Sequence, residues 1–274
     1  MNPLETAGQS GFTELRVHRH QGGSVETRTD QVGQEWPVAL VFNGISHAVM
    51  MCTPRDLEAF AVGFAISEGI VGRNADIQDI EVILREDADQ PHAEVHLTVI
   101  QQAFAGLKEK RRALAGRSGC GVCGIESIDL LDLEPERVPN TGFAGRLAPD
   151  AIARAAYALP QHQELNRLTG CLHAAAWCDA QGEIVRAFED VGRHNALDKL
   201  IGQLVLERAD TQQGFVFLSS RASYELVRKA ARVGIPMLAT ISAPSTLAIT
   251  IAERAGLRLV SFCRESGYTD YETA

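Results

Sequence analysis

Hydrophobic positions along the chain change period more than once, and the changes divide it. Trp36-Pro-Val-Ala-Leu-Val-Phe42 and Ile45-Ser-His-Ala-Val-Met-Met51 are two strand-like runs on either side of Asn43-Gly44. That dipeptide suits a type I′ turn, which needs positive φ at both central residues, so the two runs read as a hairpin. Thr53-Pro54-Arg55-Asp56 follows with an N-cap, a proline for the first helical position and an acid for the first turn, predicting a helix to about Glu68 that Gly69 closes. Alternation at Ile80, Val82 and Leu84, and again at Val95, Leu97 and Val99, predicts a second hairpin with Glu86 to Pro91 as its loop. Phe104 to Ala115 reads as a helix that leads into a glycine- and cysteine-rich stretch.

From Leu133 to Pro149 proline and glycine are frequent and periodicity is lost, the signature of a linker or boundary. Beyond it the elements alternate: helix 150–159, strands 172–178 and 183–188, helix 192–207, strand 214–219, helix 222–233, strand 236–242, helix 245–255 and strand 257–263. Phe215–Leu218 and Met237–Ile241 are apolar throughout, as in parallel strands buried on both faces. The expected organisation is a disordered tail over 1–12, a smaller α+β domain over 13–140 and an α/β layered domain over 141–274.

Composition narrows the function classes. A formal charge of −9 over 274 residues argues against general nucleic-acid binding, which needs clustered Lys and Arg for phosphates. The balance is uneven, because Lys108, Lys110, Arg111, Arg112 and Arg117 crowd together against the single acid Glu109. That run is either a solvated helix face or a cationic approach to an anionic ligand or partner. Six cysteines are too sparse for a disulfide scaffold, and no basic stretch followed by an apolar one opens the sequence. The apolar run Phe60–Ile66 is soon ended by Glu68, short of a membrane span. A cytoplasmic protein that neither crosses a membrane nor binds nucleic acid is expected.

Three kinds of segment could carry chemistry. In Arg117–Gly124 (RSGCGVCG), Cys120 and Cys123 stand at Cys-x-x-Cys spacing among glycines. Structural zinc needs four ligands, and only one such pair is present; His173 with Cys171 or Cys178 could complete a site, although both cysteines read as small buried strand residues. A thioredoxin-like site would need a helix directly after the pair, which the sequence does not clearly offer. Gly119, Gly121 and Gly124 instead allow the thiols to project from a mobile loop, and the nearby cations favour thiolate. Next, Thr169–Ala176 (TGCLHAAA) resembles the His-Ala-Glu segment of zinc nucleobase deaminases, but Ala175 takes the place of the acid/base glutamate and no Pro-Cys-x-x-Cys follows. Finally, Gly192 opens a strand-to-helix turn with Arg193, His194 and Asn195 exposed at the helix start, while Ser219-Ser220-Arg221 and Ser242–Thr246 end two further strands. Each could be plain N-capping, but three polar strand ends on one edge of a parallel sheet favour a ligand cleft.

Taken in order, RSGCGVCG (117–124), TGCLHAAA (169–176), EDVGRHNALDK (189–199), SSRASYELVRKAA (219–231) and GIPMLATISAPS (234–245) resemble the formate dehydrogenase accessory sulfurtransferase family, FdhD, from about Val38 to the C-terminus. One departure is Cys171, where glycine is the commoner residue. The resemblance implies a C-terminal cytidine-deaminase-like layered sheet beside a smaller α+β N-terminal domain, in a cytoplasmic homodimer. It implies a sulfurtransferase that takes persulfide sulfur from a cysteine desulfurase and passes it to the molybdenum of bis-molybdopterin guanine dinucleotide, bound as acceptor substrate, before that cofactor enters formate dehydrogenase. No permanently bound metal is implied. Cys120 would carry the persulfide with Cys123 as second thiol, and Phe262, Cys263, Arg264, Glu265, Ser266 and Gly267, just after the last strand, would contact the cofactor. Its phosphates would suit the helix starts at Gly192 and Ser245, with Arg193 and Arg264 as charge partners. The alternative is a zinc-stabilised chaperone that binds the cofactor without transferring sulfur.

Overall fold

The computed structural model describes residues 10–86, 89–113 and 133–271. The expected tail through residue 9, Arg117, Cys120 and Cys123 lie outside them. Residues 10–12 already belong to the fold, since Gly11 accepts a hydrogen bond from the Gln34 amide at 2.9 Å. β1 (Phe12–Gln21) and β2 (Ser24–Gly33) then form a two-stranded antiparallel ribbon. The sequence gives little sign of it, because the ribbon is exposed along most of both faces and therefore has no strict alternation to show.

β3 (Trp36–Phe42) and β4 (Ile45–Cys52) are the expected hairpin, with φ of 46° at Asn43 and 79° at Gly44. β5 (Ile77–Arg85) and β6 (His92–Val99) are the second. The two join into one sheet in the order β4-β3-β6-β5 through a parallel β3–β6 pairing. Asn43 helps set that pairing: its amide donates to the Val99 carbonyl at 2.9 Å and accepts from the Val99 N–H at 2.7 Å. Helix α1 runs over Leu57–Ser67, later than its proline predicts, because Asp56 is left-handed (φ 55°) and the preceding loop is drawn elsewhere, as described below. α2 covers Gln101–Ala113.

In the second half come α3 (Ala151–Ala158), a 3-10 turn (Leu159–His162), α4 (Glu164–Thr169), β7 (His173–Asp179), β8 (Ile184–Asp190), α5 (Arg193–Leu206), β9 (Gly214–Leu218), α6 (Tyr224–Arg232), β10 (Met237–Thr240), α7 (Thr246–Ala255), β11 (Arg258–Arg264) and β12 (Gly267–Asp270). They build a six-stranded sheet in the order β12-β11-β10-β9-β7-β8. The sheet is mixed rather than parallel: β9, β10 and β11 run together, while β7 is antiparallel to both neighbours and β12 to β11. It is covered on both faces, as a layered α/β sheet must be. Val216 and Leu218 face the side built with Leu197, Leu200, Leu226 and Ile251. Phe215 and Phe217 face the other side with Ile152, Ala155 and Leu159. The proline-rich 133–149 stretch lies against this unit, with Val138 in its core and the Val138 amide bonded to the Ala255 carbonyl at 2.8 Å.

The two sheets meet through α1 and α5. α1 is buried around almost its whole circumference, between the four-stranded sheet and α5. At the crossing a Cβ on Gly63 would collide with the Asp198 carbonyl, and one on Gly202 with the Ala59 carbonyl. At the end of α1, Ser67 donates to Asp198 at 2.7 Å, and Lys229 pairs with Asp198 at 2.9 Å and with Glu68 at 2.7 Å. No helix among the described residues is long and apolar enough to cross a membrane.

Gly202→Ala is expected to destabilise the fold by about 3 kcal/mol, as overpacking against backbone does; chemical denaturation measures it, and a stability equal to wild type would contradict so close a crossing. Burial alone would raise the Glu68 carboxyl, but Lys229 and Arg228 outweigh it and hold it at about 2 against an ordinary 4.5. A depressed folded-state pKa contributes stability above pH 4.5 that is lost as pH falls through about 2. The stability difference between wild type and Glu68→Gln, followed by denaturation against pH, should therefore shrink across that acid window and not on the alkaline side.

Candidate functional site

β8 shares its direction with β9, β10 and β11, because β7 opposes both β8 and β9. The ends of those four strands and the start of β7 consequently share one sheet edge, where α5, α6 and α7 also begin. The edge is tied together by its own loops. The Ser219 hydroxyl accepts from the Ala174 N–H at 2.8 Å, the Ser245 N–H donates to the Ala222 carbonyl at 3.0 Å, and the hydroxyls of Thr240 and Ser261 bond at 2.7 Å. Ser245 is exposed and caps α7, its hydroxyl accepting from the Ala248 N–H at 3.2 Å.

At the head of α5 the expectation of three exposed side chains is corrected. Asn195 is buried, donating to the Met51 carbonyl at 2.8 Å and to Asp190 Oδ1 at 2.9 Å. Asp190 Oδ1 also accepts from the Gly192 N–H at 2.8 Å, and Oδ2 takes the Thr53 N–H at 3.0 Å and Lys199 Nζ at 2.8 Å. Thr53 is thus not the cap of α1. Its N–H, its carbonyl and its hydroxyl all serve this cluster, the last accepting from the Val191 N–H at 3.2 Å, and that is what draws the 53–56 loop away from the helix. The neighbouring Glu189 turns the other way and accepts from the Leu165 and Asn166 N–H groups at 2.8 Å, at the head of α4.

Arg193 and His194 are half-buried. Arg193 Nε lies out of solvent without a hydrogen-bond partner among the described residues. His194 Nε2 meets Glu225 at 2.7 Å. His173 is held below its ordinary pKa by burial and then by the Arg193 charge, so the neutral imidazole is favoured. Ala175 is fully buried on the side facing α5, which leaves His173 without the carboxylate that a deaminase needs at that position.

The segment expected just after the last strand lies instead within the final hairpin. Phe262, Cys263 and Arg264 belong to β11, Glu265 and Ser266 make the turn, and Gly267 opens β12. A register shift between Ser261 and Arg264 bulges the strand, putting Phe262 in the left-handed region (φ 57°) with 48% of its surface exposed. Arg264 is exposed and donates from Nη1 to the Ile241 carbonyl at 2.7 Å, binding this bulge to the end of β10. Cys263 points inward, and burial pushes its thiol up to about 11. Arg193, Ser245 and the Phe262–Arg264 bulge thus fall on one edge; where Cys120 and Cys123 lie relative to it is outside the described residues. Of the cysteines read as buried strand positions, Cys178 is one, whereas Cys171 precedes β7 and is exposed. Among the described residues no three His, Cys, Asp or Glu side chains gather as metal ligands do.

The charged core residues escaped sequence reading. Lys199, Asp190, Asp198 and Lys229 are all nearly inaccessible. A signal was present in adjacent Asp198 and Lys199 interrupting the apolar stripe of Leu197, Leu200, Ile201 and Leu204, and in Lys229 standing before Ala230 and Ala231.

A layered α/β sheet with a polar edge of strand ends, preceded by a Cys-x-x-Cys segment, defines the class, and comparison with known proteins makes it particular. The model of the FdhD/NarQ family matches residues 33–274, and the chain belongs to that family. It is 79% identical over 263 residues to sulfur carrier protein FdhD of Burkholderia cenocepacia, covering 96% of this chain and 95% of that protein. It is 62% identical over 265 residues to the protein of the same name from Chromobacterium violaceum, covering 96% of each. Among solved structures, a formate dehydrogenase accessory protein from Desulfotalea psychrophila, so described, shares the fold at a TM-score of 0.68 and 21% identity, covering 96% of this chain and 97% of that one.

Thiol labelling of the native protein near neutral pH, mapped by peptide mass spectrometry, should modify Cys171 readily while sparing Cys52, Cys178 and Cys263. Rapid labelling of Cys263 would contradict its inward placement.

Proposed function

We propose that this protein is a sulfur carrier of the formate dehydrogenase pathway: Cys120 accepts sulfur as a persulfide from a cysteine desulfurase and delivers it to the molybdenum of bis-molybdopterin guanine dinucleotide. The observation that carries the reading is near-full-length identity to relatives named as sulfur carriers, joined to the Cys120/Cys123 pair in this sequence. In the loading step the Cys120 thiolate attacks the outer sulfur of the donor's persulfide. The donor's S–S bond breaks as the new one forms, and the donor cysteine leaves as thiolate. Cys123 then either receives that outer sulfur in relay or attacks the inner sulfur, releasing the outer one and leaving a disulfide for a thiol reductant to reopen.

The acceptor belongs at the strand-end edge. Its guanine dinucleotide brings phosphates that suit the starts of α5 and α7, with Arg193 and Arg264 as charge partners and Phe262–Gly267 as the contact segment. The buried Nε of Arg193, without a partner among the described residues, supports this, because a donor left without a partner is costly until something accepts from it. We further infer a cytoplasmic homodimer that hands the sulfurated cofactor to formate dehydrogenase.

Incubation with a cysteine desulfurase and cysteine, read by intact-mass spectrometry, should add about one sulfur, roughly 32 Da, that reductant removes and Cys120→Ala abolishes. Absence of any adduct on wild-type protein would overturn sulfur transfer.

A further inference from the structure

We propose that Asp190 and Lys199 form a positioning pair that fixes the turn Asp190–Arg193 at the head of α5 and ties it to Thr53 in the other half of the chain. Both side chains are fully out of solvent and 2.8 Å apart. Every N–H of Lys199 is used: one on Asp190, one on the Glu189 carbonyl at 3.2 Å before the turn, and one on the Thr53 carbonyl at 3.1 Å. Asp190 is used as completely, since its four donors come from four places: the turn itself (Gly192), the first turn of α5 (Asn195), the body of α5 (Lys199) and the loop after β4 (Thr53). One carboxylate therefore defines where the turn stands relative to the strand behind it, the helix ahead of it and the other sheet.

Stability alone is a poor account of this arrangement. Taking two charges out of water costs much of what their attraction returns, and a well-packed apolar pair often serves as well. An apolar pair, however, would supply none of the directional bonds that hold the Gly192 amide and the Thr53 backbone, whose hydroxyl in turn accepts from the Val191 N–H, and with them the course of the chain into Arg193. The fixing of the turn follows from the bonds alone. That it readies Arg193 for phosphate rests on the functional reading above.

The test uses the full-length protein and three variants: Lys199→Met, the double Asp190→Leu/Lys199→Met, and Asn195→Ala, with thermal unfolding, amide hydrogen exchange and the affinity for GDP as probe. Lys199→Met should lower the melting temperature, because it strands a buried carboxylate. The double variant should recover most of that loss yet exchange the Val191 and Gly192 amides at least about tenfold faster than wild type and bind GDP about tenfold more weakly. Wild-type exchange at those amides in the double variant would overturn the proposal. Should the double variant fail to fold, Asn195→Ala decides: it removes one donor from Asp190 and leaves both charges, so faster exchange at Gly192 supports positioning and unchanged exchange refutes it. If wild-type protein binds no GDP, the reading of the edge as a phosphate site fails, and the exchange measurements still decide the role of the pair.

Discussion

Between Gly63 of α1 and Gly202 of α5 no side chain intervenes, and the two sheet units meet there through backbone. So close an approach constrains what surrounds it. α5 carries Leu197, Leu200, Ile201 and Leu204 against the six-stranded sheet, while its other flank is occupied by α1, leaving little of its surface for water. Polar residues caught in that space must find partners inside it, since an unpaired buried polar group costs on the order of 1–3 kcal/mol or more. Adjacent Asp198 and Lys199 leave the helix in different directions, and each closes its own network: Asp198 with Ser67 and Lys229, Lys199 with Asp190 and Thr53. The head of α5, and with it the strand-end edge, takes its position from this junction.

The edge does not carry the acid–base group of a deaminase. Ala175 faces the hydrophobic core where a deaminase would direct a glutamate, and His173 favours its neutral form beside Arg193. What remains are hydroxyls, helix starts, arginines and the His194–Glu225 pair. Several of the hydroxyls are engaged in holding the edge together, as where Ser219 accepts from the Ala174 N–H and Thr240 bonds Ser261 across adjacent strands, so their positions are set by the fold itself. Preset donors lose less entropy on binding than mobile ones. The bulge at Phe262 continues the theme, because it turns an aromatic ring outward from a strand whose next residue, Cys263, is fully buried.

How much could be read from the chain depended on whether the signal was local. Asn43-Gly44 declares its hairpin because two adjacent positive φ values need those residue types, and the apolar runs of β9 and β10 declare burial on both faces. The strand ends at Arg193, Arg221 and Ser245 were legible because small and polar residues follow apolar runs, whereas Arg264 was singled out only through the family resemblance. The β1–β2 ribbon left no pattern, since a strand exposed on both faces has no reason to alternate. The parallel joining of β3 to β6 and the reversed direction of β7 were equally silent, being decisions about residues far apart in sequence. Thr53 is the instructive failure: Thr-Pro-Arg-Asp has the form of a helix start, but a buried Asp190 and Lys199 from the other half claim Thr53, and tertiary contacts overrode the local preference.

Burying ion pairs at a helix crossing has a further consequence for how the two units dock. The face of α1 that meets α5 carries small residues one turn apart, Ala59 and Gly63. A shift by a helical turn would bring Cβ atoms to the crossing where Gly63 and Gly202 now let the backbones meet, so the two glycines already oppose it. A buried cation does not tolerate the shift, because its N–H groups lose their acceptors and the desolvation penalty is no longer offset. Lys199 and Lys229 each have one arrangement in which their donors are met, and both arrangements reach residues flanking α1: Thr53 before it, Ser67 and Glu68 at its end. The apolar contact supplies the attraction, and the glycine crossing and the two buried lysines together select the register, as single polar residues do in coiled coils. Because Lys199 helps select the register and also bonds the end of β8, the docking of the first half and the shape of the polar edge share the same atoms.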